Sequence, residues 1–194
     1  LVEYYYRIND KKSAIALYEQ MLEHVDSKSD IYMSLYTLYS EENEFEKAID
    51  VLDKLEKAEG KSEVISLHRV KQLVMLQDSA RALAAVEKMI EENPEDLQYQ
   101  ALQGDIYSMF GDFERSEQIY LSVVAKDSGD ISSLTSLSNL YLMSERDSLY
   151  CDVVERLLKS ERLGVEQRVS MLFDYSRYKG ERDSTYVTSF FEEM

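Results

Sequence analysis

One cysteine, one proline, two histidines, six glycines and no tryptophan are a short supply for 194 residues. Each shortage removes a class of protein. A lone cysteine, Cys151, allows no intramolecular disulfide, so the chain is not a disulfide-stapled scaffold, and cysteine usage leaves the compartment open. With that one thiol and with His24 and His68 in distant parts of the chain, no zinc-type ligand spacing exists. No metal and no cofactor are expected, and His68 and Cys151 read as structural residues. Scarce Pro and Gly disfavour an all-β or linker-rich chain and favour helix. Cationic residues are short as well: 22 Lys and Arg against 38 Asp and Glu leave a net charge of −16. Such a surface repels a nucleic-acid backbone and an anionic membrane alike, so neither is expected as a partner. No apolar run approaches the roughly eighteen residues that a bilayer-spanning helix needs, so direct membrane insertion is not expected.

Catalytic signatures are missing too. H-E-x-x-H, G-x-S-x-G and G-x-x-x-x-G-K-[ST] do not occur. Carboxylate runs such as Glu41, Glu42, Glu44 and Glu46 read as solvated helix ends, with no partner acid or base held in a pocket. Nothing fills the geometric roles of an active site, and the chain is not expected to be an enzyme.

What is present is apolar residue enough to fold, 44% hydrophobic beside 31% charged, laid out with a period. The stretch Leu97 to Asp130 holds two helical runs separated by Phe110-Gly111-Asp112. Gly104 and Tyr107 lie on the first run; Ser116, Tyr120 and Val123 recur at helical spacing on the second. This resembles one tetratricopeptide repeat, whose pattern runs W-x2-L-G-x2-Y, then A-x3-F, then P. Gln100, Gln103 and Ser128 stand where the family has Trp, Leu and Pro.

With Leu97 as phase one, a spacing of 34 residues lays the rest of the chain over this stretch. The neighbouring repeats start at Ser29, Glu63, Ile131 and Val165, giving 29–62, 63–96, 97–130, 131–164 and a degenerate 165–194, after a partial repeat 1–28. Phase eleven is Tyr5, Tyr39, Leu73, Tyr107, Tyr141 and Tyr175; phase twenty is Ala14, Ala48, Ala82, Ser116, Tyr150 and Ser184. A small residue at phase twenty lets the second helix approach the first, and bulky residues at phases four, seven, eleven, twenty-four and twenty-seven fill the space around it. The second repeat shows this best, with Tyr32, Leu35, Tyr39, Ala48, Leu52 and Leu55.

Punctuation keeps the same register. Gly60, Gly111, Gly129, Gly164 and Gly180 fall between helices, and Gly104 takes the one helical phase where the family prefers glycine for close contact. Candidate N-caps recur: Ser62, Asp96 and Asp130 before first helices, Asp10, Asp78 and Asp112 before second ones. The expected helices are 1–8, 11–26, 29–42, 45–59, 62–76, 79–92, 96–110, 113–127, 130–143, 147–161, 165–178 and 183–194. Late in the chain the pattern loosens: Tyr150 is large for phase twenty, and Asp147 makes a better cap than Arg146, so either the turn gains a residue or the pair opens. A longer turn is expected at Lys179-Gly180-Glu181-Arg182-Asp183, which brings Phe191 and Met194 into phases twenty-four and twenty-seven. The fold class is therefore all-α, a right-handed α-solenoid of antiparallel helix pairs similar to tetratricopeptide-repeat superhelices, in one domain over 1–194.

In that family the first helices line a concave groove that takes extended or helical peptides, through phases two, five, nine, twelve and thirteen. Carried over residue by residue, the resemblance implies a groove lined by Met33, Thr37, Leu67, Lys71, Val74 and Met75. Further along it implies Ala101, Asp105, Met109, Thr135, Asn139, Leu142 and Met143. The Lys-based clamp that chaperone-binding members close on a terminal carboxylate has no counterpart, since phase five carries no Lys and Asn139 alone is no clamp. Met75, Met109 and Met143 all fall at phase thirteen. They suit an adaptable peptide-binding surface, but a methionine stripe at helical spacing reads first as a plug between successive first helices.

The resemblance implies a non-catalytic adaptor or scaffold with a protein or peptide partner. A spacer or oligomerisation segment of a longer protein, and an accessory region of an enzyme whose catalytic part lies elsewhere, stay open beside it. The apolar ends (Leu1, Val2, Tyr4, Tyr5, Tyr6 and Ile8; Phe190, Phe191 and Met194) lack the polar face of a capping element. They point to a segment of a longer array and offer a surface for end-to-end self-association. The compartment stays open; similar acidic, Tyr-rich repeat proteins of bacteria are often exported to the cell envelope, which inclines the expectation there over the cytoplasm.

Overall fold

The computed structural model describes residues 2–25 and 27–180. These form α1 (Val2–Arg7), α2 (Lys11–Met21), α3 (Ser29–Glu41), α4 (Phe45–Glu59), α5 (Glu63–Met75) and α6 (Ser79–Glu92). There follow α7 (Leu97–Met109), α8 (Phe113–Lys126), α9 (Ile131–Met143), α10 (Asp147–Leu158) and α11 (Val165–Gly180), with no strand among the described residues. Two compact units share them, one through Glu95 and one from Asp96, with Pro94 at the end of the first. The first unit stacks the pairs α1–α2, α3–α4 and α5–α6; the second stacks α7–α8, α9–α10 and α11.

Local chemistry starts the helices where the sequence places caps. All six expected caps accept a backbone N–H: Asp10 from Ser13 (3.1 Å), Ser62 from Ile65 (3.2 Å), Asp78 from Arg81 (3.0 Å), Asp96 from Gln98 (2.9 Å), Asp112 from Arg115 (3.2 Å) and Asp130 from Ser133 (2.7 Å). Each satisfies a donor that the first helical turn otherwise leaves orphaned.

The turn inside each pair is one device repeated. Asn9, Asn43, Gln77, Gly111 and Glu145 all have positive φ, between 56° and 83°, and all hold phase fifteen. Each sits at the end of a first helix. The next residue's N–H reaches back to the phase-eleven carbonyl: Asp10 to Tyr5, Glu44 to Tyr39, Asp78 to Leu73, Asp112 to Tyr107 and Arg146 to Tyr141. This is the Schellman closure, and it needs one left-handed residue. Only Gly111 was legible as that residue, because the five positions share a conformation and not a residue type.

Packing follows the expected phases. Ala14, Ala48, Ala82 and Ser116 are fully buried; Ala14 and Ala48 share one core with Leu35 and Leu52, and Leu134, Leu137 and Leu157 form another with Tyr120 and Tyr150. At Gly104 a Cβ would stand 2.7 Å from the Tyr120 ring, so glycine there is a requirement of close approach. Phase-eleven tyrosines do more than fill space. Tyr39 donates to Glu19 (2.6 Å) and Tyr175 to Glu155 (3.1 Å), each carboxylate belonging to the preceding second helix.

The structure corrects several expectations. First helices also bury phases three, eight and ten: Ile31, Ile65, Tyr99 and Ser133; Tyr36, Val70, Gly104 and Ser138; Leu38, Gln72, Ile106 and Leu140. Part of the reason is that α3, α5 and α9 pack against the second helix before them as well as their own partner; Tyr36 and Gln72 instead meet each other between α3 and α5, and Gly104 meets Tyr120 of its own partner helix. α2 ends at Met21 and α10 at Leu158, short of 26 and 161. Asp147 does not cap α10; it is the first helical residue and accepts from the Tyr178 hydroxyl, while Arg146 holds the cap position. The turn keeps its length, and Tyr150 packs its ring on Tyr178 (centroids 4.7 Å apart) and Tyr175 (6.2 Å). α11 runs through Lys179 and Gly180, so no turn begins there. The expected helix 183–194 with Ser184, Phe190, Phe191 and Met194 lies outside the described residues, as do Leu1 and the Tyr6 side chain.

Candidate protein-binding site

In the first unit α3 and α5 present the expected inner residues. Thr37, Leu67, Lys71 and Met75 are exposed and Met33 is half-buried, but Val74 is buried in the helix packing and cannot face a ligand. Thr37 spends its hydroxyl on the Met33 carbonyl of its own helix (3.0 Å). Behind them lies a buried polar cluster. Gln72 donates to the Tyr36 hydroxyl and to Ser40 Oγ, both at 3.1 Å, and Tyr36 Oη lies 3.0 Å from His68 Nδ1. The His68 ring also packs on Tyr36, centroids 4.7 Å apart. Burial, with a smaller push from Lys71, holds the imidazole pKa below its ordinary value. His68 is thus part of the packing between first helices.

In the second unit Asn139, Leu142, Met109 and Met143 are exposed, Asp105 and Thr135 are half-buried, and Ala101 is buried. Val74 and Ala101 therefore leave the candidate set. At the same phases Leu67 and Leu142 are exposed, so phase alone does not decide burial. The methionines go the other way. Met75 is 49% exposed, Met109 65% and Met143 76%, so they do not plug the joint between first helices.

Two hollows of about 760 Å³ each open in this unit, with Asn139 on the wall of both. One lies between the α9–α10 pair and α11, with Thr135, Leu142, Met171, Asp174 and Arg177. The other lies between the α7–α8 and α9–α10 pairs and gathers Asp105, Met109, Asn139 and Met143 from the expected set. It adds Phe113, Glu117, Tyr120 and Arg146, which the family phases do not include. Phe113 carried one signal: an aromatic directly after the cap Asp112, where a helix start faces solvent.

Its polar groups are firmly tied. Tyr120, almost fully buried, donates to Asp105 at 2.6 Å, and Ser136 Oγ lies 3.3 Å from the same oxygen. Burial and then the hydrogen bond to Asp105 push the Tyr120 hydroxyl up to about 12. Arg146 makes a bidentate pair with Glu117 (3.0 and 2.8 Å) and lies 4.6 Å over the Tyr141 ring. The guanidinium holds the Glu117 carboxyl below its usual range. Among the described residues no group of three or more His, Cys, Asp or Glu is placed to hold a metal ion, and no helix is long and apolar enough to cross a membrane.

No protein-family model and no curated protein matches the chain. Solved structures do. A tetratricopeptide repeat protein from Parabacteroides merdae is 18% identical with a TM-score of 0.62, over 98% of this chain and 73% of that one. MamA from Desulfovibrio magneticus RS-1 is 16% identical with a TM-score of 0.55, over 81% and 88%. YrrB, described as a tetratricopeptide repeat protein with an unusual peptide-binding site, is 16% identical with a TM-score of 0.54, over 87% of each. The chain has the all-α fold of tetratricopeptide-repeat solenoids.

Proposed function

We propose that the chain is a non-catalytic interaction scaffold that holds a segment of another protein against the inner face of its first helices. The observation that carries this is the exposure of Met109 and Met143 around a hollow of about 760 Å³. Large apolar side chains held in water are costly unless something covers them. A flexible, polarisable thioether is suited to covering by varied sequences. On α11 the groove phases five and nine carry exposed Val169 and Phe173, which adds apolar surface to the first helices of this unit. A peptide-binding member of the same fold, YrrB, gives the reading a precedent.

The test is selection of a displayed random-peptide library on the purified chain, repeated on a Met109→Glu/Met143→Glu variant. One enriched consensus is expected on the parent and none on the variant, with the melting temperature changed by less than about 2 °C, since exposed substitutions cost little. A consensus that binds both proteins equally would remove the inner face as the site. No enrichment on the parent would favour a spacer role.

A further inference from the structure

Resting on that reading, we propose that the hollow between the α7–α8 and α9–α10 pairs takes one apolar side chain of a partner segment whose flanking residues are Lys or Arg. The walls set the first half of this chemistry. Met109, Phe113, Leu140 and Met143 line the hollow, and Phe113 is itself 48% exposed. A space of about 760 Å³ admits a Leu, Met or Phe side chain together with the backbone that carries it.

The charges set the second half. Asp105, Glu114 and Glu117 stand at this hollow, and Arg146 is the one cationic residue among the described residues that line it. Arg146 is committed to Glu117 by two hydrogen bonds and to the Tyr141 ring. Asp105 takes its hydrogen bonds from the neutral hydroxyls of Tyr120 and Ser136, which leave its charge in place. Glu114 is exposed and has no ion pair among the described residues. One guanidinium thus offsets one of three carboxylates, and the remaining charge sits beside apolar walls that screen it less than water does. An acidic segment is repelled there, and a basic one is drawn in and held in register. The overall charge of −16 attracts any cation, so the test has to separate this site from that general field.

Fluorescence-anisotropy titration of the full chain with short labelled peptides does so. The first peptide carries one Leu flanked by Lys and Arg; the second replaces Leu by Ser; the third replaces the flanks by Gln. The first is expected to bind about tenfold tighter than the second, the value of one buried aliphatic side chain. Glu114→Gln is expected to weaken the first about threefold and leave the third unchanged, as for a partly exposed ion pair. Met109→Ser with Met143→Ser weakens both Leu peptides, while Glu91→Gln, exposed on α6, changes nothing. If the Gln-flanked peptide binds as tightly as the basic one and still depends on the methionines, the groove reading stands and the basic partner is wrong. If the Ser peptide matches the Leu peptide, or Glu91→Gln weakens binding as much as Glu114→Gln, the attraction is the general field and the proposal fails. If no peptide binds, this proposal and the peptide-binding reading fail together.

Discussion

Gly104→Ala adds one methyl group to the interior of α7, and its effect can be worked from the contact it meets. The new Cβ would lie 2.7 Å from Cε1 of Tyr120, 3.0 Å from Cδ1 and 3.2 Å from Cζ. The ring cannot easily retreat, because Tyr120 is 2% exposed and its hydroxyl is held by Asp105 at 2.6 Å. On propensity alone, alanine is better than glycine inside a helix by about 1 kcal/mol. Over-packing a buried contact costs about 1–3 kcal/mol, and loosening the Tyr120–Asp105 hydrogen bond costs about 1 kcal/mol more. The strain wins, and the substitution is expected to destabilise by roughly 1–3 kcal/mol. For a chain of this size that corresponds to a loss of about 2–4 °C per kcal/mol in melting temperature. Urea titration followed by far-ultraviolet circular dichroism measures it. Tyr120→Leu in the same background should recover part of the loss, because the clash and the ring leave together, so the two changes are not additive. A Gly104→Ala protein more stable than the parent, by the propensity difference alone, would refute the close crossing of α7 and α8.

Two further substitutions test the turns and the polar cluster. Glu145, exposed and at φ 56°, holds the left-handed position that Gly111 fills without strain, so Glu145→Gly should stabilise by about 1 kcal/mol in the same assay; a loss would mean that the α9–α10 turn closes differently. His68 has its pKa lowered first by burial and then by Lys71, so the unfolded chain binds that proton more readily than the folded one. Its neutral form therefore contributes stability above the ordinary histidine value of about 6.5 that is lost as pH falls through it. The urea midpoint should drop as pH falls below about 6.5, and His68→Gln should flatten the drop; an equal drop in both proteins would place the titrating group elsewhere.

The candidate site was legible in one respect and hidden in another. Phase thirteen pointed to Met109 and Met143, and both stand in solvent beside a hollow. Phase twelve and phase five pointed equally to Val74 and Ala101, which are buried. A family phase says which side of a helix a residue is on; it does not say how far the neighbouring helix reaches around that side. Arg146, Glu117 and Tyr120 belong to the hollow through a turn and a second helix, and their place follows from how two pairs face each other. No spacing within one repeat encodes that.

The sequence by itself determined the period, the helix starts and the tightest contact. Hydrogen-bonding caps such as Asp78 and Asp130 act within three residues, and a missing Cβ at Gly104 acts within one helix pair, so both are readable from local order. Tertiary structure alone decided the second buried stripe of the first helices, the shared left-handed turn of residues as different as Asn43 and Glu145, and the charge left over around the hollow. These depend on what a neighbouring helix covers or pairs, and the same residue type is core in one repeat and surface in the next. At phase twelve Val74 is buried and Leu142 is exposed: hydrophobicity sets what a side chain favours, and packing sets what it obtains.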